Sequence, residues 1–161
     1  MTRSKPVRRV RRVRLVAVQG AAVGVAAVFL ILAIAGFTPG LTGQLDSLQW
    51  YGHYSGPQSA LLGIFEVSVL HNLMHLGFGV TGLLMARTFA RARAYLIGGG
   101  LLYLALWIIG ITQDGARDAL PLNNADNWLH FAVGVVMVIL GLTLAASRVP
   151  TGADGELLIP E

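Results

Sequence analysis

Four long apolar stretches, separated by short segments rich in glycine, proline or charge, dominate the pattern along the chain. Residues 15–36 contain 22 positions without a charge. As a helix rising about 1.5 Å per residue they extend about 33 Å, enough to cross a hydrocarbon core of roughly 30 Å. The following segment, 37–60, holds Pro39, Gly40, Gly43, Gly52, Gly56 and Pro57 and reads as a loop. Its Trp50, Tyr51 and Tyr54 suit the headgroup level of a bilayer. A second span is expected over 61–86, bounded by Arg87, Arg91 and Arg93, and a third over 94–112, ended by Asp114-Gly115. Residues 123–126 supply capping side chains for a fourth span over 127–147. The predicted fold is all-α: a four-transmembrane-helix bundle at 15–147, with a basic arm at 1–14 and a short tail at 148–161.

The first apolar stretch resembles a secretory signal in one respect, an Ala33-Ile34-Ala35 segment of the A-x-A cleavage type. Its apolar core far exceeds the roughly 7–15 residues usual in such signals, which favours an uncleaved anchor.

Composition agrees with a membrane solvent, since 55% of residues are hydrophobic and only 12% charged. Seven of the twelve basic residues (Arg3, Lys5, Arg8, Arg9, Arg11, Arg12 and Arg14) precede the first span. A basic arm so placed meets anionic lipid headgroups rather than nucleic acid. Cysteine is absent, which excludes disulfides, thiol catalysis and Cys-based zinc or iron–sulfur sites. Eleven arginines against one lysine, with much Ala, Gly and Val, point to a GC-rich bacterial genome.

An internal repeat emerges when spans two and four are aligned. His71-Asn72-Leu73-Met74-His75 falls beside Asp126-Asn127-Trp128-Leu129-His130, and Gly79-Val80 beside Gly134-Val135, all at an offset of 55. Spans one and three align more weakly, Phe29 to Thr38 beside Tyr103 to Thr112, with Gly36 matching Gly110. A two-helix tandem repeat is expected. At about 100° per residue, Asn72, His75 and Gly79 form one stripe and Asn127, His130 and Gly134 another, both expected to face the bundle interior. Gly20 and Gly24 have small-xxx-small spacing, and Gly98-Gly99-Gly100 reads as a packing notch.

Polar side chains at membrane depth carry any chemistry the chain has: Glu66, His71, Asn72, His75, Asn127 and His130. His71 and His75 have the spacing of the H-E-x-x-H zinc protease motif, but Asn72 stands at the glutamate, and an amide cannot serve as general base. His71, His75 and His130 are the available metal ligands, and His75 with His130 the pair that could hold a haem between facing helices. Glu66, read as helical, lies about 140° from His71 and faces elsewhere. There is no phosphate-binding loop and no Gly-x-Ser-x-Gly nucleophile, so no catalytic residue is assigned.

Gly36-Phe37-Thr38-Pro39-Gly40, Leu62-Gly63-Ile64-Phe65-Glu66-Val67 leading into His71-Asn72-x-x-His75, Leu120-Pro121-Leu122-Asn123 and Asp126-Asn127-x-x-His130 occur here in order. In that combination the chain resembles a family of four-helix membrane proteins of unknown function found chiefly in actinobacteria, over residues 15–145. The resemblance implies four spans and does not point to an activity.

The expected function is therefore that of a nonenzymatic accessory or scaffold protein of the bacterial plasma membrane, associating with a membrane protein partner or a second copy. No cofactor is expected. The rival readings are proton or solute transport through the histidines, and a haem or metal redox protein. The termini and the loop between spans two and three carry eleven basic residues against Arg117 alone on the opposite loops, so both termini should be cytoplasmic. Topology reporters fused at Ser55 and after Ser147 should then report opposite sides of the membrane; the same side for both would remove one crossing.

Overall fold

The computed structural model describes residues 17–51, 58–112 and 122–144. The basic arm, the C-terminal tail, His53, Tyr54, Ser55, Asp114, Arg117 and Ser147 lie outside them. Four helices account for the apolar stretches: α1 (Ala17–Ala35), α2 (Val69–Met85), α3 (Phe89–Thr112) and α4 (Asn124–Thr143). The first, third and fourth, of 19, 24 and 20 residues, are long and apolar enough to cross a membrane. The second is also apolar but has 17 residues, about 26 Å of helix.

The second span differs from the sequence expectation. It begins at Val69, and the preceding residues form strands, so the fold is mostly helical rather than all-α. A small antiparallel sheet joins β1 (Thr42–Gly43), β2 (Ala60–Leu61) and β3 (Phe65–Glu66) in sequence order. Glu66 is therefore a strand residue, and its expected angle around a helix from His71 does not apply. The chain reverses between β2 and β3 through two left-handed residues, Leu62 (φ 55°) and Gly63 (φ 70°). Segment 37–60 also carries a 3₁₀ turn at Leu45–Ser47. Thr42 Oγ1 donates to the Ala35 carbonyl at 3.0 Å, tying this sheet to the end of α1, and Ser59 Oγ donates to the Gln44 carbonyl at 2.8 Å, joining the two ends of the intervening segment. Trp50 and Tyr51 remain exposed.

The bundle is two helix hairpins packed together, α1 with α2 and α3 with α4. Each hairpin closes on a glycine. A methyl group at Gly79 would strike Leu30 and the Ala26 carbonyl, and one at Gly134 would strike Leu104 and the Gly100 carbonyl. Phe29, Tyr103, Leu96 and Met137 fill the interior between the hairpins. At the end away from the sheet, Gln19 Nε2 donates to the Ala86 carbonyl at 3.0 Å, joining the start of α1 to the end of α2. The close approaches of α1 use Ala22 and Ala26, fully buried, and not the Gly20 and Gly24 pair, around which there is open space.

Within the glycine triplet only two positions are contacts. Gly99 lies against Phe78 and Met137, and Gly100 against the Gly134 carbonyl and Val138, whereas Gly98 faces open space. Alanine at Gly100 should therefore lower thermal stability in detergent, while alanine at Gly98 should be neutral or raise it, the helix gaining up to about 1 kcal/mol from the lost glycine entropy. Equal effects at both positions would show that α3 and α4 do not meet on this face.

Candidate functional site

The polar residues converge where the helix ends meet the small sheet. Ser68, fully buried, caps α2, its side chain accepting from the His71 N–H at 3.1 Å. This fixes the first turn of α2 so that His71, Asn72 and, one turn on, His75 are all buried, while Leu70 and Leu73 are exposed. At α4 the cap is reciprocal. Asn123 Oδ1 accepts from the Asp126 N–H, and Asp126 Oδ2 from the Asn123 N–H, both at 3.0 Å. The same Asp126 oxygen accepts from the Glu66 N–H at 3.1 Å, and Asn123 Nδ2 donates to the Ile64 carbonyl at 2.7 Å. The start of α4 is thus clamped to the β2–β3 hairpin.

The two asparagines do matching work. Asn72 Nδ2 donates to the Gly36 carbonyl at 2.9 Å, just past the end of α1, and Asn127 Nδ2 to the Gly110 carbonyl at 3.2 Å, near the end of α3. Both glycines are required sterically, because a Cβ at either would land on the carboxamide of its asparagine. Thr38 and Thr112 complete the correspondence, each turning its hydroxyl back to the carbonyl four residues earlier, Ile34 and Ile108.

The histidines stand apart from this pattern. The His71 and His75 rings lie 4.6 Å apart between centroids, tilted by 52°, and those of His71 and His130 6.2 Å apart, tilted by 51°. All three line a cavity of about 20 Å³, with Asp126, Tyr103 and Phe29. Leu61, Phe65 and Val67 of the sheet region close it from one side. The Nδ1 atoms of His71, His75 and His130 are buried and have no hydrogen-bond partner among the described residues. Positions aligned between the two halves of the sequence line this chamber together: Phe29 and Tyr103, His71 and Asp126, His75 and His130.

Of the six polar candidates, His71, His75 and His130 are brought together, Asn72 and Asn127 bind helix-end carbonyls, and Glu66 enters through its backbone. Asp126 and Tyr103 were not singled out from sequence. The sequence marks Asp126 only as one of the capping residues of the fourth span, and the signal that places it here is its alignment with His71. No group of three or more His, Asp or Glu among the described residues is arranged to hold a metal ion. His75 and His130, the pair read from sequence as facing each other, both line the cavity of about 20 Å³.

Residues 19–143 match the family described as a domain of unknown function, DUF4383. No curated protein and no solved structure matches the chain.

The asparagine–glycine pairs yield a quantitative expectation. Asn72→Leu and Asn127→Leu should each cost on the order of 1–3 kcal/mol, since the glycine carbonyl loses its buried donor. Gly36→Ala should also destabilise, but less when combined with Asn72→Ala, giving a coupling of about 0.5–3 kcal/mol in a double-mutant cycle read from thermal unfolding in detergent. Additive costs would mean the two residues do not touch.

Proposed function

We take as premise that the chain belongs to the DUF4383 family of unknown function, and we propose that it is a nonenzymatic integral membrane protein, an accessory or scaffold component that associates through its helices. One observation carries this reading. His71, Asn72 and His75 of α2 and Asp126, Asn127 and His130 of α4 are buried, while large apolar side chains face outward: Val28 and Ile31 on α1, Leu84 on α2, Ile108 on α3, Val136 and Ile139 on α4 are all exposed. Such faces suit lipid and other transmembrane helices, and the chamber of about 20 Å³ is too small to admit an organic substrate.

In this reading the chain crosses the bacterial plasma membrane four times with both termini in the cytoplasm, as the distribution of basic residues supports. α2 is short for a crossing, and the sheet that precedes it occupies the outer interface together with Trp50 and Tyr51. The basic arm rests on anionic lipid headgroups. The two hairpins are a tandem repeat. Its support is the set of equivalent contacts, Asn72 on Gly36 and Asn127 on Gly110, Gly79 on Leu30 and Gly134 on Leu104.

A second reading, a proton relay, has the three clustered histidines in its favour. Flux across proteoliposomes separates the two. Vesicles containing the protein should move protons no faster than empty vesicles, and His75→Gln and His130→Gln should melt near the parent temperature. Proton flux in the parent that disappears in both variants would put the relay first. The associating role itself is read by photo-crosslinkers replacing Ile31, Ile108 or Ile139 in native membranes. A discrete protein adduct from at least one position is expected, and lipid adducts alone from all three would refute it.

A further inference from the structure

At the end of the bundle away from the sheet, Phe89, Ala90, Arg93, Ala94, Ile97 and Gly98 of α3 line an open groove of about 370 Å³. At about 100° per residue these positions form one stripe along the helix, and the exposed Leu101 continues it. The floor is bare at Gly98, where an added methyl group would meet nothing within 4 Å. From Arg93 to Leu101 the stripe runs about 12 Å, most of the depth of one leaflet in a hydrocarbon core of roughly 30 Å. One guanidinium thus stands at the head of an apolar channel of leaflet length.

The charge has no counterpart nearby. Residues 67–113 contain no aspartate or glutamate, and the acidic residues among the described ones, Asp46, Glu66 and Asp126, all belong to the sheet end of the bundle. Positive charge at a cytoplasmic helix end serves topology whatever lies beneath it. Arg91 is such a residue, about 160° round the helix from Arg93 and not part of the groove lining. The first hairpin differs at the aligned position. Gln19, which matches Arg93 as Phe29 matches Tyr103, is buried and donates to the Ala86 carbonyl. Among the described residues, the second hairpin alone sets a cation over such a groove.

We propose that this groove binds one anionic phospholipid of the cytoplasmic leaflet, its phosphate against the Arg93 guanidinium and an acyl chain along Ala94, Ile97, Gly98 and Leu101. Guanidinium and phosphate form strong charge-assisted hydrogen bonds, and anionic lipids are what the cytoplasmic leaflet offers. Charge and hydrocarbon are needed together. Inorganic phosphate or an acidic peptide would use the arginine and leave the apolar stripe bare, whereas a zwitterionic lipid would fill the stripe but bring an ammonium towards the arginine. The site rests on the reading that α3 crosses the bilayer with its start at the cytoplasmic face.

Native mass spectrometry of the full-length protein, titrated in detergent with phosphatidylglycerol or with phosphatidylcholine of the same chains, counts the lipids bound. Phosphatidylglycerol should bind the parent more tightly. Because the basic arm also attracts anionic lipid, the variants decide. Arg93→Gln should lower phosphatidylglycerol affinity about fivefold, the worth of one arginine near an anionic surface, while Arg91→Gln should stay near the parent. Gly98→Leu, whose side chain enters open space, should bind one phosphatidylglycerol fewer at saturation. Equal losses from Arg93→Gln and Arg91→Gln, or no loss from Gly98→Leu, would overturn the proposal and leave a diffuse basic surface. So would a parent dimer that Gly98→Leu dissolves, which would give the groove to a second copy. A gain in lipid binding on combining Asp154→Asn, Glu156→Gln and Glu161→Gln would give it to the chain's own tail, and would overturn the proposal equally. Failure of the site is distinct from failure of the membrane reading, which co-flotation of the protein with lipid vesicles tests by itself.

Discussion

Hydrocarbon offers no hydrogen-bond partner, so every polar group carried to membrane depth must find one inside the protein. The asparagine–glycine pairs meet this constraint for two helix-end carbonyls. A helix leaves its last carbonyls without an intrahelical donor, and here Asn72 and Asn127 of the neighbouring helices supply one at Gly36 and Gly110. Glycine is needed at both positions because the carboxamide occupies the space of a side chain. One contact thus fixes three things: the end of α1 or α3, the register of the hairpin, and the direction in which the following turn of α2 or α4 faces.

The histidines are placed by that register. One turn beyond each asparagine, His75 and His130 point into the gap between the hairpins, and His71 joins them because Ser68 starts α2 where it does. The result divides each polar stripe by role. Its asparagine holds helices together, whereas its histidine lines a chamber without bonding another helix through Nδ1. The sheet region is locked over this chamber by Asp126, a single carboxylate that both completes the cap of α4 and accepts the Glu66 N–H. Local helix capping and long-range closure are therefore the same interaction.

Much of this was legible in the sequence. The four apolar stretches, the two stripes and the pairing of Gly36 with Gly110 all rest on spacing, which a helix converts directly into geometry. The sheet was not legible, because Ala60, Leu61, Leu62, Ile64, Phe65 and Val67 merge with the apolar run of α2, interrupted only by the single residues Gly63, Glu66 and Ser68. Two-residue strands leave no period to read, and Leu62 adopts a left-handed conformation that its residue type does not announce. Misplacing Glu66 on a helix followed from that. The packing face of α1 was not legible for a different reason: a helix apolar all round carries no polar stripe to mark its inside, so the spacing of Gly20 and Gly24 does not say which side meets the neighbouring helix. Asp126 was recognised as a cap but not as a chamber wall, because capping alone accounts for an aspartate at a helix start.

The absence of cysteine from the chain allows the central claim to be tested without background, by oxidative cross-linking of introduced pairs in native membranes. Gly36→Cys with Asn72→Cys, and Gly110→Cys with Asn127→Cys, should each form an intramolecular disulfide readily, while the crossed pairs Gly36→Cys with Asn127→Cys and Gly110→Cys with Asn72→Cys should not. Matched pairs that fail to bridge, or crossed pairs that bridge equally well, would contradict a bundle built from two asparagine-closed hairpins.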